Sequence, residues 1–159
     1  MLKYLVIMQP QTLHQELTFH RIFVAEESPI LTSYGVVKAG FPSPAGDYLE
    51  EDIDLGQYLM PRPNSTFLVR VKGDSMTNAH IPENALLVVD RSVKPTSGRI
   101  VVAIVNNEFT VKRLIKNSSG LRLMPESPNP KYRPIPITDE MDFRIWGTVI
   151  HIILNANNV

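Results

Sequence analysis

At 159 residues the chain fits one compact domain with room for a short arm or tail. Sixteen basic residues balance sixteen acidic ones, so no charge footprint exists for holding nucleic acid or anionic lipid by electrostatics alone. Cysteine is absent, which removes disulfides and thiolate metal sites, and no run approaches the roughly 20 apolar residues of a membrane span.

The N-terminus combines Lys3 with a short apolar run that Gln9 and Pro10 end at once. No small-residue cleavage pattern of the secretory kind follows, and a cytoplasmic protein is expected. Segment 1–39 carries three basic side chains (Lys3, Arg21, Lys38) against three acidic ones (Glu16, Glu26, Glu27), and Pro10 and Pro29 interrupt it. It shows no sustained helical or strand period and is too short for a core of its own. An arm that lies on something else is the expectation. The run from Ala39 to Gly46 holds Pro42 and Pro44 among small residues and predicts an exposed, extended linker. A short amphipathic piece follows, with Tyr48, Ile53, Leu55, Tyr58 and Leu59 apolar, and Pro61 and Pro63 stop it. The division expected is therefore an arm over 1–39, a linker and amphipathic segment over 40–64, and a β domain over 65–159.

From Ser65 onward the pattern is of strands. Thr66 to Val71 is β-branched and aromatic, and Ala85 to Asp90 is a short apolar run of the kind a buried strand shows. Arg99 to Val105 and Glu108 to Leu114 flank Asn106-Asn107, two residues that tolerate the positive φ of a tight hairpin. Further strands are expected near Leu121 to Met124 and from Phe143 to Leu154. Turn residues at short intervals predict a mostly β fold, one twisted antiparallel domain.

Two places carry candidate chemistry. Gly73-Asp74-Ser75-Met76 follows a predicted strand, where a loop can present a nucleophile to a cleft; taken alone it reads more readily as a polar turn, since Gly, Asp and Ser are common turn formers. The hydrolase nucleophile elbow is excluded, because Thr77 stands where that motif needs glycine. A serine nucleophile needs a base, and none of the four histidines completes a Ser-His-Asp set. His80 lies in the same loop with no acidic residue placed to orient it, His151 sits in an apolar strand, and His14 and His20 lie in the arm. Lys112 is the alternative. Side chains alternate along its strand, so Thr110, Lys112 and Leu114 share one face while Phe109, Val111 and Arg113 share the other. A desolvated lysine can become a neutral base, whereas arginine cannot. Spacing alone leaves open whether Lys112 is such a base or a solvated lysine whose stem covers the sheet.

The runs FPSPAGDY, IDLGQYL, GDSM, LLVVD, EFTVKRL and WGTVIHII resemble, in order and with close spacing over residues 39–154, the UmuD branch of the LexA-type self-cleaving serine proteases (peptidase S24 type). The resemblance implies a β domain of the LexA C-terminal type, with Ser75 as nucleophile and Lys112 as its base. It implies an oxyanion held by the backbone N–H groups of Asp74 and Ser75, and a cut between Ala39 and Gly40. Members of the UmuD branch can carry cysteine at the first of these positions; Ala39 here matches the LexA-type repressors. Val36 and Val37 favour an extended form and could anchor the segment in the cleft. The resemblance further implies stimulation by the RecA filament on single-stranded DNA during the SOS response. The shortened homodimer would then serve an error-prone Y-family DNA polymerase (UmuC type) in synthesis past lesions. No cofactor, metal, membrane or strong direct DNA contact is implied.

Three rivals remain. A LexA-like or phage-type repressor needs a helix-turn-helix before the cut, and 39 residues broken by Pro10 and Pro29 lack its basic excess. Signal peptidase I shares Ser-Lys chemistry but needs a membrane anchor. A catalytically idle interaction module would keep Ser75 and Lys112 as relics, and incubation at alkaline pH separates it from every protease reading.

Overall fold

The computed structural model describes residues 17–21, 30–33 and 51–158. Ala39 and Gly40, the expected cut site, with Val36, Val37 and His14, lie outside the described residues.

Among the described residues all strand pairs are antiparallel. The strands are β1 (Leu17–Arg21), β2 (Ile30–Ser33), β3 (Glu51–Asp54), β4 (Thr66–Val71), β5 (Leu86–Asp90), β6 (Ile100–Val105), β7 (Glu108–Asn117), β8 (Gly120–Met124), β9 (Ile135–Pro136) and β10 (Phe143–Ile153). A five-residue helix, α1 (Leu55–Leu59), starts at Asp54, whose side chain accepts from the Gln57 N–H at 2.9 Å. Eight strands form one sheet in the order β1-β4-β5-β10-β6-β7-β8-β9, and β2 pairs with β3 in a second.

Strand β10 joins the two halves of the main sheet. Its first part pairs with β6 and its last part with β5, and the register slips near Trp146 and near Ile150. Each slip is a bulge, which bends and twists the strand so that it can serve both neighbours. Gly147 sits at this bend against β5: a Cβ there would stand 2.6 Å from a Val89 methyl, so no larger residue fits without a shift.

Strands β5 and β6 are apolar because both faces of the sheet are covered there. One cluster gathers Val69, Val71, Met76, Ile81, Leu87, Val89, Val102 and Val111; the other gathers Val101, Ala103, Leu114 and Leu123. Asn106 and Asn107 turn the β6–β7 hairpin at φ of 49° and 68°, as a two-residue turn of this hand requires.

Two strands lie inside the arm, where no period predicted any. Leu17–Arg21 adds to β4 and Ile30–Ser33 to β3. Segments of four or five residues are too short to show a period, and their conformation comes from the edge they pair with. The amphipathic piece divides in the same way, into β3 and then α1.

Candidate active site

The turn that carries Ser75 begins where β4 ends. Gly73 takes φ of +95°, a left-handed conformation that glycine adopts without penalty. Beyond Ser75 the turn is anchored by Met76 and Ile81, both buried, which bridge through Ile81 N–H to Met76 C=O at 3.2 Å. A short 3₁₀ turn over Thr77–Ala79 fills the space between them. Apolar residues just past the serine thus fix a polar turn to the core.

Lys112 reaches the turn from the middle of β7, where its partner across the ladder is Val101. It is 7% exposed. Its Nζ lies 2.8 Å from Ser75 Oγ, 2.9 Å from Thr110 Oγ1 and 2.9 Å from the Val111 carbonyl oxygen. As an ammonium it donates in these directions. As a neutral amine it keeps two N–H donors for Thr110 and Val111, and its lone pair then accepts from the Ser75 hydroxyl. The arrangement therefore suits a base that takes one proton and gives it back. Val71, Gly73, Met76, Phe109 and Tyr132 complete the lining of the cleft, and no histidine lines it among the described residues. His80 is exposed, and His151 stacks on Tyr58 with ring centroids 5.6 Å apart.

The structure thus brings together Ser75 and Lys112, which stand 37 positions apart in the chain. It also adds residues that sequence reasoning did not place. Thr110 was legible as sharing a face with Lys112, but not as its hydrogen-bond partner. The segment from Glu126 to Tyr132 gave no signal beyond its prolines. Yet Glu126 N–H donates to the Ser75 carbonyl at 2.9 Å. Tyr132 O–H donates to Asp74 Oδ1, and Asn129 Nδ2 donates to Asp74 Oδ2 at 3.2 Å. The hydrogen bond from Tyr132, then that from Asn129, with Lys131 nearby, hold the Asp74 carboxyl at about 2, below its ordinary 3.8.

Among the described residues no cluster of His, Asp and Glu could hold a metal ion, and no helix is long and apolar enough to cross a membrane.

Known proteins are similar to this chain over most of its length. Protein ImpA of Salmonella typhimurium is 44% identical over 116 residues, covering 73% of this chain and 77% of that protein. Protein MucA of Escherichia coli is 39% identical over 118 residues, 74% of this chain and 80% of that protein. The LexA repressor of Caldicellulosiruptor saccharolyticus is 41% identical over 119 residues, 75% of this chain but 56% of the repressor. The sequence profile of the Peptidase S24-like family matches residues 29–150, a span holding both Ser75 and Lys112, and the chain belongs to that family.

Proposed function

We propose that this chain is a self-cleaving serine peptidase in which Ser75 attacks the Ala39-Gly40 bond with Lys112 as its base. The single observation that carries the reading is the 2.8 Å contact between Ser75 Oγ and the Nζ of a buried Lys112. The neutral amine takes the hydroxyl proton as Oγ adds to the Ala39 carbonyl carbon. Backbone N–H groups of Asp74 and Ser75 face the oxyanion of the tetrahedral intermediate. Collapse breaks the C–N bond, and the Lys112 ammonium returns the proton to the departing Gly40 amine. The Ala39 ester on Ser75 is then hydrolysed by water, with Lys112 again taking a proton. The cleft beside Ser75 and Lys112 has a volume of about 90 Å³ and is open to an entering segment.

The resemblance to the UmuD branch extends the reading to context. The chain acts in the cytoplasm during the SOS response, its cleavage is stimulated by the RecA filament, and the shortened homodimer assists a Y-family polymerase past lesions. On this reading the arm over 1–39 is the part removed, 40–64 becomes the new N-terminus, and 65–159 carries the dyad. Incubation of the purified chain at alkaline pH, followed by intact-mass measurement, tests the core of it. Fragments of 39 and 120 residues are expected; a different boundary, or an intact chain with and without activated RecA filament, would overturn the assignment.

A further inference from the structure

The segment between β8 and β9 grips the nucleophile turn and the strand of the base at once. Arg113, next to Lys112 on β7, pairs with the Glu126 carboxylate and also donates to the Gly98 carbonyl at 2.7 Å. Glu126 in turn holds the Ser75 carbonyl through its N–H, and its own carbonyl accepts from Asn78 N–H at 2.8 Å, beyond the nucleophile. Six residues later Tyr132 closes the same segment onto Asp74. Between them, Asn129 is held in one orientation: its Oδ1 accepts from Lys131 N–H at 3.1 Å, which leaves Nδ2 to face Asp74 Oδ2.

The Asp74 carboxylate accepts from Tyr132 and Asn129 and lies 3.5 Å from Lys131 Nζ. What it fixes is its own backbone, between the left-handed Gly73 and the nucleophile. On the reading that Ser75 and Lys112 catalyse acyl transfer, that stretch of backbone carries the N–H groups facing the oxyanion. We propose that Tyr132 is a positioning residue for this reaction: together with Asn129 it clamps the Asp74 side chain and so holds the Gly73–Ser75 backbone in the geometry that stabilises the oxyanion.

The chemistry of the clamp fixes what each substitution does. Tyr132→Phe keeps the ring that lines the cleft and removes only the donor. Asp74→Ala removes the acceptor. Asp74→Asn keeps the clamp, since its oxygen can accept from Asn129 while its amide donates to the Tyr132 oxygen. Loss of a whole oxyanion donor costs about 100- to 1000-fold in rate, and loosening its support costs a part of that, about 10-fold.

The experiment is a pH-rate series of self-cleavage on the full chain and these variants, with circular dichroism to verify folding. Phosphonylation of Ser75 by a fluorophosphonate, a reaction that forms the Ser–O–P bond and releases fluoride, is measured alongside. Tyr132→Phe and Asp74→Ala are each expected to lower the plateau rate about 10-fold without moving the midpoint of the pH profile. Asp74→Asn should restore most of it, and the double variant should be no slower than Asp74→Ala, as members of one clamp behave. Cleavage and labelling of folded Tyr132→Phe at the wild-type rate overturn the proposal. So does a moved midpoint, which would mean that the Tyr132 ring, 6.0 Å from Lys112 Nζ, acts on the charge of the base instead. If the wild-type chain is labelled but never cut, self-cleavage fails as its function while slower labelling of Tyr132→Phe still supports the clamp. A wild type neither cut nor labelled at Ser75 overturns both.

Discussion

Neighbouring basic residues on β7 meet opposite fates. Arg113 projects to the side where Glu126 waits, and its guanidinium stays charged and about one-third exposed (32%). Lys112 projects the other way, into the cleft, where Thr110, Val111 and Ser75 surround its nitrogen. Only the amine can serve as a base, because a guanidinium does not give up its proton in a protein. An unperturbed lysine titrates near about 10.4, and burial favours the neutral amine and lowers that value. On the proposed mechanism the neutral form is the active one, and cleavage should be slow near pH 7 and rise toward about pH 9–10. A histidine base would instead level off above about pH 7. Ser75→Ala, Lys112→Ala and Lys112→Arg should each abolish cutting in a chain whose circular dichroism is unchanged. Near wild-type cutting by folded Lys112→Arg would end the Ser-Lys mechanism.

Among the elements, those with an apolar run or a turn signature are legible in the sequence, and the short edge strands of the arm are not. The apolar runs of β5 and β6 and the Asn106-Asn107 turn announce themselves because burial on both faces and positive φ each demand particular residues. β1 and β2 have no such signature, because pairing with an existing edge decides them. The site divides along the same line. Ser75 and Lys112 stand in short runs that local pattern left undecided and the family resemblance singled out, whereas Asn129 and Tyr132 reach Asp74 through tertiary contacts with no local signature. The end of β5 is readable only as a strand terminus, yet it holds a buried polar knot. Asp90 is fully buried and accepts from Ser92 N–H at 2.7 Å and from the Ser65 hydroxyl at 2.9 Å, and it pairs with Arg62. Burial alone would push its carboxyl up; hydrogen bonds from Ser92, Arg62 and Ser65 outweigh that and hold it at about 2 instead of 3.8. A lowered folded value means that the stabilisation is complete above the unfolded value and is lost as pH falls through about 2. Asp90→Asn should therefore cost about 1–3 kcal/mol at pH 7, chiefly through mismatched buried donors. In urea unfolding the gap between variant and wild type should narrow as pH drops from about 5 to about 2. A gap that stays constant with pH would show that the charge of Asp90 contributes nothing.

On the scale of the whole molecule, the proposed function makes the chain its own substrate. β2 and β3 pair with Ser33 opposite Glu51, so the 34–50 connection that contains Ala39 and Gly40 leaves and returns at one place. Both ends of that connection are tied to the molecule that holds Ser75 and Lys112, and the cut needs no encounter between free partners. A short tether gives an effective concentration of about a millimolar, well above protein concentrations of about 1–100 µM. Such tethering replaces the binding energy that a separate substrate would have to supply, and it fits a cleft of only about 90 Å³. The first-order rate constant should accordingly stay the same across that range of concentration. A homodimer that exchanges arms would also give a flat profile while it stays assembled, so the series is paired with a mixing arm. Ser75→Ala chains, intact but unable to attack, are incubated with wild type after the subunits have exchanged, and the fate of each chain is read by mass. If the arm docks on its own subunit, wild type is cut and Ser75→Ala stays whole. Cutting of Ser75→Ala at the wild-type rate assigns docking to the mate, and a rate constant that climbs in proportion to concentration removes tethering altogether.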